Sequence, residues 1–283
     1  MAAKRIEAPA YLAMRAITYS VVAVIGYLII DVAWKGAGAI TWSFLTEVPR
    51  NSGSEGGIFP AIIGTFYLIA GTVVAALPLG MGAAIYLSEY AVQGRFTRAM
   101  RLAIVTLAGV PSIVFGLFGL GLFCLFLGMG QSILAGCLTL ACMVLPTIIV
   151  ASEEALRAVP ASLREGSLAL GAGKWQTIWR NVLPYAVPGM MTGSILSIGR
   201  AAGETAPILL TAAAFYLPTL PQSAYDQVMA LPYHLYILAT QMPDAQKVRP
   251  MQYGTALVLL MLVLGVNLAA IALRSHFRKK YRW

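Results

Sequence analysis

Arg200 and Glu204 stand four residues apart inside a long apolar block that runs from Tyr185 to Leu217. Residues at that spacing share one helix face, and an ionised group at the centre of a bilayer costs at least ~2.5 kcal/mol on insertion scales. The two side chains must therefore face each other, a partner or water. One reading sets Arg200 in a translocation path, where a planar guanidinium suits the paired oxygens of phosphate. Glu204 would then balance Arg200 when the path is empty and keep the anion from being held too tightly to leave. The other reading is a structural ion pair, buried between helices or across a subunit interface. Gly189-x3-Gly193 and Gly199-x3-Gly203 carry the small-x3-small spacing that lets helix backbones approach. Pro207 cannot donate to the carbonyl of Gly203, so the block is expected to break or bend near the charges.

Other chemistry is thinly supplied. His234 and His276 are the only histidines, too few for a zinc-protease pair or a Ser-His-Asp triad with choices to spare. Cys124, Cys137 and Cys142 lie in apolar stretches where thiols pack as small hydrophobes, so neither a disulfide nor a metal is expected. The glycine-rich stretch ending at Lys174 fails as a nucleotide loop: G-x4-G-K-[ST] would need Gly at Leu168 and Ser or Thr at Trp175. ATP, if it drives anything here, must be hydrolysed by another polypeptide.

The surroundings of these residues are lipid-like. Of 283 residues 59% are hydrophobic and 11% charged, far below the ~25% charged of a soluble domain, and mean hydropathy is +0.77. Charge-poor blocks, each able to cover a ~30 Å hydrocarbon core, run from about Ala16 to Ala33, Ile62 to Leu87, Leu102 to Leu127, Ser132 to Ala151, Tyr185 onward, and Gly254 to Leu273. The first is expected to be an uncleaved helix, the second to kink at Pro78, and the third and fourth to form a hairpin about Gly128-Met129-Gly130-Gln131. The result is an all-α membrane protein with six transmembrane helices. The net charge of +9 is spread in short groups between blocks and does not point to nucleic acid. With the N-terminus inside, Lys35, Arg50, Lys247 and Arg249 alone fall outside and Arg200 falls within the membrane. Every other Lys and Arg, including Lys4, Arg5, Arg15, Arg95, Arg98, Arg101 and the tail from Arg274 to Arg282, is then cytoplasmic. Both termini are therefore expected in the cytoplasm.

Glu153 to Pro184 is the one long polar stretch, too short for a catalytic domain. Ser162 and Glu165 have capping-box spacing and predict a short helix starting there. Gly171 and Gly173 can supply its left-handed end. A second short helix carries Trp175, Ile178, Trp179 and Val182 before Pro184, so the loop reads as a helix-turn-helix at the membrane surface. On the other side, Leu217 to Tyr253 alternates proline with tyrosine, and Leu231 to Thr240 predicts a short helix on or dipping into the outer surface, with His234 at the surface. This segment reads equally as an interfacial loop with aromatic anchors.

Glu165, Gly171 six positions on and Leu183-Pro184 together resemble the E-A-A-x3-G-x9-I-x-L-P loop of binding-protein-dependent ABC importer permeases. The chain departs from that pattern at Gly166 and Ser167, in place of two alanines, and at Asn181, in place of Ile. The run Ile198 to Pro207, and Glu55 to Thr65 before the second block, are similar to the corresponding segments of PstA-type permease subunits of phosphate importers; the likeness extends from about residue 55 onward. The resemblance implies the MetI-like importer fold, with a cytoplasmic coupling helix around Arg164, Glu165, Gly166, Ser167, Gly171 and Pro184 docking on an ATPase. It implies a phosphate path beside Arg200, Glu204 and Thr205. The implied partners are a second, PstC-like permease subunit, two PstB-like ATPases and a PstS-like phosphate-binding protein in a bacterial inner membrane. No cofactor is expected on this chain, ATP and magnesium belonging to the ATPase. Residues 1–60 are read as an N-terminal helix and outer loop, and 61–283 as the permease domain with its coupling loop at 153–184. Two other readings stay open: a permease for another oxyanion such as sulfate or molybdate, and a stand-alone secondary transporter or channel.

Overall fold

The computed structural model describes residues 2–51 and 55–280, with side chains for 11–51, 55–244 and 246–276. The basic residues Lys4, Arg5, Arg278, Lys279, Lys280 and Arg282 lie outside the described side chains. Helix α1 (Ala2–Ala37) is long, apolar and exposed from Tyr11 to Ala37. A short α2 (Trp42–Thr46) follows, started by Thr41, whose hydroxyl accepts from the Phe44 amide. The antiparallel pair β1 (Pro49–Arg50) and β2 (Glu55–Gly56) then leads to α3 (Phe59–Ile85), with Pro60 in its first turn where the missing N–H costs nothing. Helix α3 passes through Pro78 without a break, the ring lying on an exposed face, and ends in a π turn at Tyr86–Tyr90.

The third block is not one straight span. Helix α4 (Arg95–Leu107) stops before Gly109-Val110-Pro111, and α5 (Ser112–Gly119) restarts after it at 105° to α4, prolonged by a π turn over Leu120–Phe126. Proline disfavours helical backbone at the residue before it, and Pro111, following Gly109, marks the bend. Gly128 and Gly130 take φ of 67° and 63° in the expected hairpin turn. Ser132 then starts α6 (Ile133–Arg157), its side chain accepting from the Ala135 amide.

The polar loop also departs from its expected form. Helix α7 (Ala161–Ala169) begins straight after Pro160, so Ser162 sits inside the first turn, no capping box forms and Glu165 is exposed. Gly171, at φ 83°, supplies the left-handed end; Gly173 does not, and instead precedes the next helix. That helix is no separate unit. α8 (Lys174–Thr177) continues through a π turn at Ile178–Val182 into α9 (Leu183–Gly203), so the fifth span begins at Lys174. The break comes at Glu204 and Thr205, before α10 (Ala206–Thr211). Helix α11 (Leu231–Thr240) has the expected bounds, and α12 (Ala245–Lys280) is the last span. Among the described residues five helices are long and apolar enough to cross a membrane, six if the bent α4–α5 pair is counted as one span.

Helices α3, α6 and α9 form the centre. Leu68 and Ala76 of α3 pack with Cys137, Leu140, Val144 and Ile148 of α6 in the largest buried cluster, while Leu156, Val182, Ala186 and Met190 fill a second. α12 lies against α9, and α1 against α12. The seam between α6 and α9 is built from small residues on both sides: a Cβ on Gly193 would strike the methyl of Ala151, and one on Gly189 would lie 2.8 Å from that of Ala155. The second glycine pair divides, with Gly199 against Asn267 of α12 and Gly203 facing open space. His234, expected at the surface, is 1% exposed between its neighbours in α11. Leu231 is anchored by donating its amide to the Thr65 hydroxyl at 2.9 Å, which draws this helix inward.

Two outcomes follow. Gly193→Ala is expected to lower the unfolding free energy in detergent by ~1–3 kcal/mol through overpacking, and Ala151→Gly in the same chain to recover most of it, both read by thermal unfolding. Burial holds the His234 imidazole down at about 4 from its ordinary 6.5, so the unfolded chain binds the extra proton first. Stability should therefore fall as pH drops from about 6.5 towards 4, and His234→Leu should flatten that limb of the melting profile.

Candidate functional site

The charges of the loops gather at one end of the bundle, where Arg164 of α7 is the hub. Its Nη2 and Nε donate to both carboxylate oxygens of Glu89 at 2.7 and 3.2 Å. Nη1 donates to the Val159 carbonyl and Nη2 to the Leu156 carbonyl, each at 2.8 Å. Those carbonyls lie at and just past the C-terminal end of α6, where a helix carries a partial negative charge. One side chain thus ties α7 to the ends of both α3 and α6. Glu89 is only 9% exposed, so the bidentate pair is shielded from water and stronger than a surface bridge.

A second arginine repeats the arrangement. Arg101 of α4 donates to Glu153 of α6 at 2.8 Å, to the Gln93 amide oxygen at 2.8 Å and to the Leu87 carbonyl at 2.9 Å. Arg157 completes it by donating to the same Glu153 oxygen at 2.7 Å.

On its other side α7 is held to α8. Asn181 donates its amide to the Ser167 hydroxyl at 2.8 Å, and Ser167 shares a 2.9 Å hydrogen bond with Thr177. Ser167 and Thr177 are buried. Of the three positions where the chain departs from the family pattern, two, Ser167 and Asn181, are therefore hydrogen-bonded partners. Glu165, Gly166 and Gly171 are exposed, and Leu170 beside them is 91% exposed. Pro184 is half-buried in the first turn of α9. Trp175 and Trp179 stack at 5.7 Å, and Lys174 lies 5.0 Å over the Tyr90 ring.

The break after α9 holds the other candidates. Arg200 Nε lies 3.1 Å from Glu204 Oε1. Glu204 is not on the helix with Arg200 but at its cap, in extended backbone, from which the carboxylate turns back to the guanidinium. The Arg200 side chain is 54% exposed and that of Glu204 17%. Among the described residues neither terminal nitrogen of Arg200 has a hydrogen-bond partner, which leaves a free two-donor edge. Glu204 also lines a narrow cavity with Thr65, Leu140, Ala201 and Ile208. Thr205, half-buried, caps α10 without a side-chain bond.

The structure brings Arg200, Glu204 and Thr205 together at one break, and Arg164 and Ser167 into one joint, with Glu165, Gly166 and Gly171 exposed at its tip. Glu89, Arg101, Glu153 and Thr177 were missed in the sequence, although Glu89 is the first charge after a long apolar block. Arg164→Ala is expected to cost about 3 kcal/mol of stability by leaving the shielded Glu89 charge without its cation and the Val159 carbonyl without its side-chain donor. The exchange Arg164→Glu with Glu89→Arg should not restore it fully, since the Val159 carbonyl still lacks that donor; denaturant titration of the purified chain in detergent reads both.

Residues 76–283 match the family model described as the binding-protein-dependent transport system inner membrane component. The chain is 34% identical over 272 residues to the probable ABC transporter permease protein YqgI of Bacillus subtilis, covering 92% of this chain and 90% of that one. It is 42% identical over 228 residues to the phosphate transport system permease protein PstA 1 of Mycobacterium tuberculosis, covering 80% and 72%. With the probable phosphate transport system permease protein PstA of Methanocaldococcus jannaschii it shares 35% over 241 residues, covering 85% and 83%. Among solved structures, a chain of the MetNI methionine ABC transporter in inward-facing form superposes with a TM-score of 0.62 at 18% identity, covering 78% of this chain and 97% of that one. A chain of a bacterial alginate ABC transporter does so with 0.65 at 14% identity, covering 95% and 94%.

Proposed function

The chain belongs to the family of binding-protein-dependent transport system inner membrane components, and from that premise we propose that it forms half of the path of an ATP-driven phosphate importer. The observation that carries the substrate is the free edge of Arg200 at the break between α9 and α10. Two parallel N–H donors fit two oxygens of a tetrahedral oxyanion, and Glu204 on the remaining nitrogen supplies a competing anion that favours release. Relatives named as phosphate permeases support the same reading.

In this reading the basic end is cytoplasmic, as short basic loops require. The chain is a transport subunit without an ATPase site, ATP and magnesium being held by two partner subunits. A second permease subunit completes the path and a phosphate-binding protein delivers the anion from the other side. Residues 61–283 act as the permease domain, with 1–60 as an accessory helix and outer loop. Docking of the ATPases falls on the exposed tip at Glu165, Gly166 and Gly171. A push there reaches α3 and α6 through Arg164, and through Ser167 it reaches α9, the helix whose last turn carries Arg200. A bound ATPase can shift the helices only by its differential affinity for the two arrangements.

In the assembled importer reconstituted in vesicles, Arg200→Gln should lower ATP-driven phosphate uptake on the order of a hundredfold while all subunits still copurify. Full uptake by that variant would end the assignment of Arg200 to the path. Sulfate or molybdate competing as well as phosphate would move the chain to a sibling oxyanion system.

A further inference from the structure

Helix α4 carries two demands that the bundle itself leaves unmet. Its 13 residues make a rod of about 20 Å, set at 105° to α5, which packs along α6 through Gly119 on Thr139. α4 therefore turns across the bundle axis. Arg101 fixes its level, beside Glu153 near the end of α6 and the Leu87 carbonyl at the end of α3. Thr97 is buried and Met100, Arg101 and Ile104 half-buried, so this face is turned to the protein.

The remaining faces are open. Phe96, Ala99, Ala103 and Leu107 fall on one side of the helix and are all exposed, Phe96 by 78%. Arg95 borders that stripe and Arg98 lies further round, on the side it shares with the exposed Leu102 and Val105; among the described residues neither guanidinium has a hydrogen bond or an ion pair. The exposed surface of α4 thus needs apolar neighbours, and its first turn a negative one. A helix that sets arginines among exposed aromatic and aliphatic residues fits the headgroup boundary of a bilayer.

We propose that α4 is an interfacial helix that binds anionic phospholipid of the cytoplasmic leaflet, Arg95 and Arg98 meeting lipid phosphates while Phe96, Ala99, Ala103 and Leu107 enter the acyl boundary. An anionic lipid meets both demands in one molecule. The choice of leaflet rests on the orientation proposed above; lipid contact itself does not.

A nitroxide placed by Phe96→Cys in the assembled transporter tests this in vesicles of phosphatidylcholine with or without 30 mol% phosphatidylglycerol. The label should be relaxed by oxygen and shielded from a water-soluble nickel chelate. Phosphatidylglycerol should be enriched around the protein, on the order of fivefold for each arginine, and Arg95→Gln with Arg98→Gln should abolish that enrichment while leaving the subunits associated. A label open to the nickel chelate, one immobilised against another subunit, or lipid enrichment unchanged by the double substitution would each overturn the proposal. Accessibility and lipid enrichment are read without substrate, so they stand or fall separately from phosphate transport.

Discussion

A single guanidinium at the basic end joins three helices. Arg164 engages a shielded carboxylate and two helix-end carbonyls, and no other residue type offers donors in a fixed planar fork to reach them together. Lysine could neutralise Glu89 but would leave acceptors unmatched. The joint makes α7 part of the bundle rather than a flap on its surface, which is the condition for a push on this end to be felt by the helices within. Arg101 repeats the device one helix away, so the ends of α3, α4, α6 and α7 are knitted by two arginines and two carboxylates.

The interior is joined by a different means. Helices in lipid gain little from hiding apolar surface, and close approach of backbones takes its place. Ala151 and Ala155 meet Gly193 and Gly189, and Gly80 meets Ile148, so the bundle's centre is set by missing side chains. Such a seam is stiff against compression and tolerant of sliding. The tethers at the end and the smooth seam within together suit a bundle that moves as linked rods.

At the far end of α9 the helix stops where a charge pair is present. The extended cap at Glu204 frees backbone groups and turns a carboxylate back on Arg200, leaving half of the guanidinium open. Exposure of an arginine at a break between apolar segments is costly in lipid. The cost is met only by water, an anion or a partner subunit, and that is why the pair reads as part of a path.

How much of this was legible in the residues differs by level. Hydropathy determined the apolar blocks and the start of α6, because burial in lipid needs only length and composition, but α6 and α12 run several residues past their blocks into polar sequence. Gly171 was readable as a left-handed end, since φ of 83° is open to glycine at little cost. The run after Arg200 was readable as a break, Pro207 being unable to continue a helix. The bend at Pro111 was marked by Gly109-Val110-Pro111 but hidden within an unbroken apolar window. Capping at Ser162 failed because Pro160 takes the N-cap position two residues earlier. His234 was placed at the surface because a histidine in a tyrosine- and proline-rich loop suggests solvent, whereas Thr65, distant in the chain, draws α11 inward. The partners of Arg164, Arg101 and Asn181 lie 75, 52 and 14 residues away. Local composition constrains what a segment can become; which distant groups meet depends on how the helices pack, and only the tertiary structure decided that.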